Sequence, residues 1–175
     1  MPRFYELFAG IGLVRDALEP LGWECTYAND INPTKEAIYR RRYPESTHFD
    51  RRDVWELDAR FLPLPVDLIA ASFPCIDLSL AGNRKGLAGA QSGTFWALIR
   101  LLNRLRELGE PPKALIIENV TGFVSSHGGR DFREALQAIN ECAKKVAGIS
   151  TTRRSFPWSL PLLPRAYFLD VWSRT

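Results

Sequence analysis

The sequence has few of the features that mark secreted, zinc-binding or membrane-spanning proteins. Its three cysteines, Cys25, Cys75 and Cys142, are odd in number, lie far apart and never form a CxxC pair, which argues against a disulfide framework and a structural zinc site. No apolar run approaches the ~20 residues of a membrane-spanning helix, and the first residues, Met-Pro-Arg-Phe-Tyr-Glu, lack the apolar stretch of a secretory signal peptide. We therefore expect a reducing, cytoplasmic location.

Repeats, low-complexity segments and shifts of composition between the two halves are also missing. At 175 residues, 46% apolar and 25% charged, the chain has the size and composition of a soluble globular domain. We expect residues 1–175 to form one domain. The net charge of +3 permits a polyanionic partner without requiring one, since unrelated soluble proteins often carry as much.

Short apolar segments alternate with segments of helical periodicity along the whole chain. The pattern predicts strands at 3–8, 24–29, 66–71, 114–117 and 166–171, and helices at about 13–21, 33–43, 94–108 and 131–146. Such alternation predicts an α/β fold, doubly wound, with a mostly parallel sheet and helices on both faces. Ligands of this fold bind beyond the carboxyl ends of the strands.

The first predicted strand leads into Phe8-Ala9-Gly10-Ile11-Gly12, which places two glycines where a strand turns into a helix. Backbone can approach a ligand closely there, although a GxG pair also occurs as a simple tight turn. Arg15 stands where a third glycine would complete GxGxxG, which weakens the case for a nicotinamide dinucleotide. Asp30 ends the second strand and suits an acceptor of ribose hydroxyls, a turn acid before Pro33, or both.

Two chemically reactive side chains follow the predicted strands at 66–71 and 114–117. Cys75 comes after Pro74 at the end of one strand, and Glu118 ends the other. If these strands are neighbours, the thiol and the carboxylate can face one reacting group, since adjacent strands lie ~5 Å apart. Cys25 and Cys142 lie inside apolar strand and helix patterns, and we expect them to be structural.

Four motifs occur in a fixed order: Phe8 to Gly12, then Asp30, then Phe73-Pro74-Cys75 with Ser79, then Glu118-Asn119-Val120. In these motifs and in linking stretches such as 81–87, the chain resembles the DNA (cytosine-5)-methyltransferases over residues 4 to about 170. The resemblance implies a Rossmann-like methyltransferase that uses S-adenosylmethionine. The residues it assigns to the cofactor are Phe8, Ala9, Gly10, Ile11, Gly12, Asp30 (ribose), Ile31, Asp53 (adenine), Val54 and Pro74 (methionine end).

The resemblance also implies how the base is modified. Cys75 would add to C6 of cytosine as a thiolate, and Glu118 would hydrogen-bond N3 of the ring. The base must leave double-stranded DNA to reach the thiol. Ser79, Arg84 and Lys85 belong to a Gly-rich stretch that suits a loop closing over phosphates, or a flexible surface loop.

Two departures from the family pattern leave alternatives open. Of the family's Gln-x-Arg-x-Arg segment, whose second arginine holds the cytosine O2, only Arg165 remains, with leucines in place of the Gln and the first Arg. The family continues into a target recognition domain and terminal motifs, which we expect this chain to lack. We therefore expect a catalytic core completed by a second polypeptide. A non-catalytic remnant that binds S-adenosylmethionine or a partner, and an RNA substrate, remain alternatives.

Overall fold

Six strands and five α-helices make up the part of the chain that the structure, a computed structural model, describes: residues 1–74, 93–147 and 166–169. The strands are β1 (Arg3–Leu7), β2 (Glu24–Asn29), β3 (Phe49–Asp50), β4 (Leu68–Ala71), β5 (Ala114–Glu118) and β6 (Ala166–Leu169). The helices are α1 (Leu13–Leu18), α2 (Pro33–Arg42), α3 (Thr94–Glu107), α4 (Gly122–Ser125) and α5 (Arg130–Ala147). Short 3₁₀ turns lie at Glu19–Leu21, Val54–Glu56, Ala59–Phe61 and Ser126–Gly129.

All six strands join one sheet in the order β3-β2-β1-β4-β5-β6, and every neighbouring pair is parallel. The predicted doubly wound α/β fold is confirmed. The order reverses between β1 and β4, and the crevice at such a switch point is where ligands of this fold bind. The carboxyl ends of β1 and β4 therefore border the candidate site.

Each face of the sheet packs against its own set of helices. On one face, Tyr5 and Leu7 of β1 pack with buried leucines and Phe95 of α3 and with Ile139 of α5. On the other face, Phe4 packs with Tyr39 of α2. Full burial of such a side chain stabilises the fold by ~1.5–3 kcal/mol.

Helix α1 is shorter than the periodicity predicts. The α-helix ends at Leu18 rather than at about Leu21, and a 3₁₀ turn follows. Pro20 explains the difference, because it has no N–H to donate and its ring would clash with the carbonyl of Asp16 in a continued helix. Helix α2 begins as predicted, with Pro33 in its first turn and the Asn32 side chain accepting hydrogen bonds from the N–H groups of Thr34 and Lys35.

Asn29, at the end of β2, fixes the path of the chain after the two-residue strand β3. Its side chain is 1% exposed, and Nδ2 donates to the carbonyls of Asp50 (3.0 Å) and Arg52 (2.8 Å). Asp53 follows directly. A buried amide thus holds the segment that presents Asp53 at the carboxyl edge of the sheet.

We expect Asn29→Ala to lower the free energy of unfolding by about 1–3 kcal/mol, because two carbonyls would lose their buried donor. Urea denaturation measures the change. Asn103→Ala is the control, since among the described residues the Asn103 side chain bonds to Ile99 and Arg106 of its own helix, α3. Equal losses in both variants would contradict the role of Asn29.

Candidate active site

The turn after β1 is pinned to β2 and has two unlike glycines. Ala9 N–H donates to the Asn29 carbonyl (2.8 Å), and Phe8, Gly10 and Gly12 all have positive φ. A Cβ on Gly12 would lie 2.5 Å from the Tyr43 ring, whereas a Cβ on Gly10 would meet nothing closer than 3.9 Å. Gly12 is therefore required for packing against α2, and Gly10 is the glycine that leaves room for a ligand.

The Asp30 carboxylate joins this turn to the start of α2. It is 5% exposed and accepts hydrogen bonds from the N–H of Gly10 (3.0 Å) and of Asn32 (2.9 Å), and from Lys35 Nζ (3.2 Å). The interpretation of Asp30 as a turn acid is thus confirmed. The same contacts place its oxygens beside the open glycine.

The other predicted cofactor residues differ in accessibility. Ile31 is 60% exposed and presents an apolar side chain next to Asp30. Asp53 is partly exposed, and its Oδ1 accepts the N–H of Trp55 (2.9 Å) at the start of a 3₁₀ turn. Ala9 and Val54 are buried, so their side chains belong to the hydrophobic core.

Sequence reasoning missed Glu6, a buried carboxylate in the middle of β1. Glu6 is 2% exposed, its Oε1 accepts the N–H of Val14 (2.9 Å) in the first turn of α1, and its Oε2 has no hydrogen-bond partner among the described residues. Burial raises its pKa to about 7, against the lowering effect of the Val14 and Arg15 backbone. The signal was an acidic residue within an apolar strand.

Arg15, at the place of a third glycine, packs α1 against α2. Its guanidinium lies 4.0 Å from the centre of the Tyr43 ring and donates to Glu19 (2.7 Å) and to the Ser46 hydroxyl. The third glycine of a dinucleotide fold permits close contact between helix and strand. A long side chain occupies that position here.

The ends of β4 and β5 are linked directly. The strands are hydrogen-bonded neighbours with Ala71 opposite Ile117, which confirms the adjacency on which the thiol and carboxylate argument rests. Asn119 Nδ2 donates to the Phe73 carbonyl (2.9 Å), and the Phe73 ring packs against Phe95 and Phe123. Pro74 and the partly exposed Glu118 therefore lie at one edge of the sheet.

Five predicted site residues lie outside the described residues: Cys75, Ser79, Arg84, Lys85 and Arg165. The other two cysteines, Cys25 and Cys142, are buried as predicted, and burial raises the pKa of Cys25 to about 12. Within residues 1–74, 93–147 and 166–169, no three His, Cys, Asp or Glu side chains are placed to share a metal ion. No helix in those ranges is both long and apolar enough to span a membrane.

Two solved structures share this architecture. Schizosaccharomyces pombe Dnmt2 superposes with a TM-score of 0.60 and 28% identity, over 78% of this chain and 42% of that protein. A variant of Spodoptera frugiperda DNMT2 gives a TM-score of 0.63 and 23% identity, over 99% of this chain and 56% of that protein, and supports the fold alone.

Sequence comparison identifies the family. Type II methyltransferase M.HhaI of Haemophilus parahaemolyticus is 30% identical over 139 residues, which are 79% of this chain and 40% of the relative. M.HpaII of Haemophilus parainfluenzae is 29% identical over 138 residues, 79% of this chain and 37% of the relative. The chain thus spans about 40% of the length of these relatives. The model of the C-5 cytosine-specific DNA methylases matches residues 2–147, and the chain belongs to that family.

Proposed function

We propose that the chain is the catalytic core of a DNA (cytosine-5)-methyltransferase that transfers a methyl group from S-adenosylmethionine to C5 of a cytosine flipped out of the duplex. One observation carries the proposal. The open turn at Gly10, the Pro74 end of β4 and the carboxylate of Glu118 lie at the carboxyl ends of three adjacent strands, β1, β4 and β5. A cofactor at the switch point and a base beside it would meet there.

The described residues fit S-adenosylmethionine. Gly10 leaves space for close backbone approach, and Asp30 beside it is an acceptor for ribose hydroxyls. Ile31 is an exposed apolar surface on which an adenine ring can lie, and Asp53 can accept from the adenine amino group. The Phe8 to Gly12 turn and Pro74 would enclose the methionine part, and the bound cofactor supplies an electrophilic methyl group.

Glu6 favours this cofactor over a dinucleotide. In dinucleotide-binding folds, the free N–H groups of the first helix hold the pyrophosphate. Here the Val14 N–H is already bonded to Glu6, and α1 is only six residues long. The N–H that would hold a phosphate is therefore occupied, whereas a sulfonium cation needs no such donor.

The chemistry at the base would depend on three side chains. A Cys75 thiolate that adds to C6 of cytosine forms the C6–S bond and moves electron density onto C5, which becomes nucleophilic. Glu118 would share a proton with N3 and so stabilise the negative charge that develops on the ring. Arg165 would hold O2. C5 would then take the methyl group as the sulfonium S–CH3 bond breaks and the demethylated cofactor leaves as a thioether. Transfer of the C5 proton to a base and release of the thiolate from C6 would restore the aromatic ring.

DNA binding and sequence selection need further residues. Ser79, Arg84 and Lys85 would contact the phosphates around the flipped base. Since this chain spans about 40% of its relatives, we propose that residues outside these 175, on the same or on a second polypeptide, read the DNA sequence. Relatives named Type II methyltransferases suggest a role in restriction-modification.

Transfer of a labelled methyl group from S-adenosylmethionine to cytosine-containing DNA tests the function. The chain is assayed alone and with any polypeptide that carries the remaining family motifs. Cys75→Ser should abolish transfer, at least a thousandfold, because a hydroxyl is a far weaker nucleophile than a thiolate. Cys142→Ser is the control and should keep its activity.

Residual transfer by Cys75→Ser would show that the nucleophile is wrong. Cofactor binding without transfer in every combination would instead support the non-catalytic alternative. RNA methylation without DNA methylation would identify the substrate as RNA.

Asp30→Asn should weaken S-adenosylmethionine binding by about 10- to 100-fold, because a hydrogen bond to a charged acceptor contributes about 1.5–3 kcal/mol. Isothermal titration calorimetry measures the affinity, and a parallel unfolding curve shows whether the turn survives. Asp58→Asn, an exposed cap of another 3₁₀ turn, should bind normally. Unchanged affinity in Asp30→Asn would contradict the ribose assignment.

The raised pKa of Glu6 predicts a stability that depends on pH. The folded state holds this proton up to about pH 7, whereas an unfolded Glu releases it near its ordinary pKa, about 4.3. The contribution of Glu6 is therefore fully present below pH 4 and is lost as the pH rises from there through 7, by at most about 4 kcal/mol.

Glu6→Gln should remove this decline, so that the variant gains stability relative to the wild type between pH 5 and pH 8. Urea denaturation across this range measures the difference. Glu24→Gln, which alters a carboxylate at the protein surface, should follow the wild type. Parallel curves for Glu6→Gln and the wild type would mean that Glu6 does not titrate in this range.

A further inference from the structure

A left-handed turn precedes α5 at the edge of the sheet where Glu118 ends. His127, Gly128 and Gly129 have φ of 48°, 66° and 79°. The glycines adopt this conformation freely, but His127 has a Cβ and is strained in it. Strained residues of this kind persist where the surrounding structure fixes them, and they cluster at functional sites.

Asp131 fixes the imidazole of His127. His127 Nδ1 lies 2.9 Å from Asp131 Oδ2, and the Ser126 hydroxyl donates to the same oxygen. Burial raises the pKa of Asp131, but the hydrogen bonds from Ser126 and His127 and the charge of Arg130 outweigh it, and the pKa is lowered. An ionised carboxylate can only accept hydrogen bonds, so Nδ1 of His127 carries the hydrogen of this bond. Nε2 is then available for a hydrogen bond to another group.

The His127 side chain is open to solvent, and two exposed arginines follow it in the chain. The His127 side chain is 38% exposed, and its Nε2 has no hydrogen-bond partner among the described residues. Arg130 and Arg133 are exposed on the first turn of α5, where Arg133 also donates to the Gly128 carbonyl (3.3 Å). The acidic residues of this helix face, Glu134 and Glu141, come later along α5.

A groove starts from these arginines. It has a volume of about 660 Å³ and is lined by Trp96, Arg130, Arg133, Glu134, Gln137, Ala138 and Glu141. Trp96 lies in the first turn of α3, and α3 and α5 both begin at the carboxyl edge of the sheet. The basic end of the groove therefore lies at the edge where Glu118 would meet a cytosine.

We propose that His127, held by Asp131, contacts a phosphate of the DNA that carries the target cytosine. This contact rests on the proposed function. A protonated imidazole would donate Nδ1–H to Asp131 and Nε2–H to a phosphate oxygen, which are charge-assisted hydrogen bonds. A phosphate fits better than a base edge, because basic groups at the rim of a site position the backbone, whereas base readout needs a side chain that reaches into a groove.

A double-mutant cycle tests the contact. The complete enzyme, this chain with whatever residues complete it, binds a cytosine-containing duplex in which single phosphates are replaced in turn by uncharged methylphosphonates. His127→Asn keeps a residue that tolerates the left-handed conformation but removes Nε2. We expect about a tenfold loss of affinity in this variant, and about the same loss for the wild type at one methylphosphonate position. The two losses should not add at that position.

Two further variants separate contact from structure. His127→Gly removes the imidazole together with the backbone strain, so its unfolding temperature should be kept while its DNA affinity falls. Arg104→Gln, an exposed basic residue on the last turn of α3, should bind DNA as the wild type does.

Additive losses at every methylphosphonate position, or wild-type affinity in His127→Asn and His127→Gly, would overturn the contact and leave His127 as a structural cap of α5. In that case wild-type methyl transfer would still support the proposed function. A wild type that neither binds nor methylates DNA would overturn both proposals.

Discussion

Coverage of a parallel sheet by helices on both faces is the constraint on which the rest of the molecule depends. Both faces must be apolar, because Tyr5 and Leu7 pack under α3 and α5 while Phe4 packs under α2. Polar groups that act on a ligand are therefore concentrated where strands end. The turn after β1, the loop after β3 and the ends of β4 and β5 all lie at the same edge.

Glu6 is the exception to this rule. It lies within β1 on the face that α1 covers, and its burial raises its pKa to about 7. The cost of burying this group is offset by the hydrogen bond that it accepts from the Val14 N–H. The carboxylate caps a six-residue helix that Gly12, without a side chain, cannot cap itself. This bond acts together with those from Ala9 to Asn29 and from Gly10 to Asp30 to order the turn.

The fold was predictable from the sequence because it depends on periodicity over many residues. Apolar runs and helical spacing were sufficient to locate β1, β2, β4, β5, α2, α3 and α5 within a few residues. The end of α1 was missed because Pro20 acts through one absent N–H. The two-residue strand β3 is held by the Asn29 side chain rather than by its own apolar pattern, so periodicity gives no sign of its bounds.

The site was predictable only in part, because a residue type does not reveal its partners. Gly10 and Gly12 look equivalent in the sequence. The structure distinguishes them, because the Tyr43 ring leaves no room for a side chain at Gly12. In the sequence, Arg15 is only the residue that stands in place of a third glycine. In the structure, its side chain packs α1 against α2. His127 carried no motif at all, since its strain and its pairing with Asp131 exist only in the folded chain.

The bond from Asn119 to the Phe73 carbonyl has a mechanical consequence. It joins the residues that follow two neighbouring strands, so the backbone at Phe73 is held to the end of the strand that carries Glu118. The spacing between the ends of β4 and β5 is thus set by strand pairing and by this one side-chain hydrogen bond.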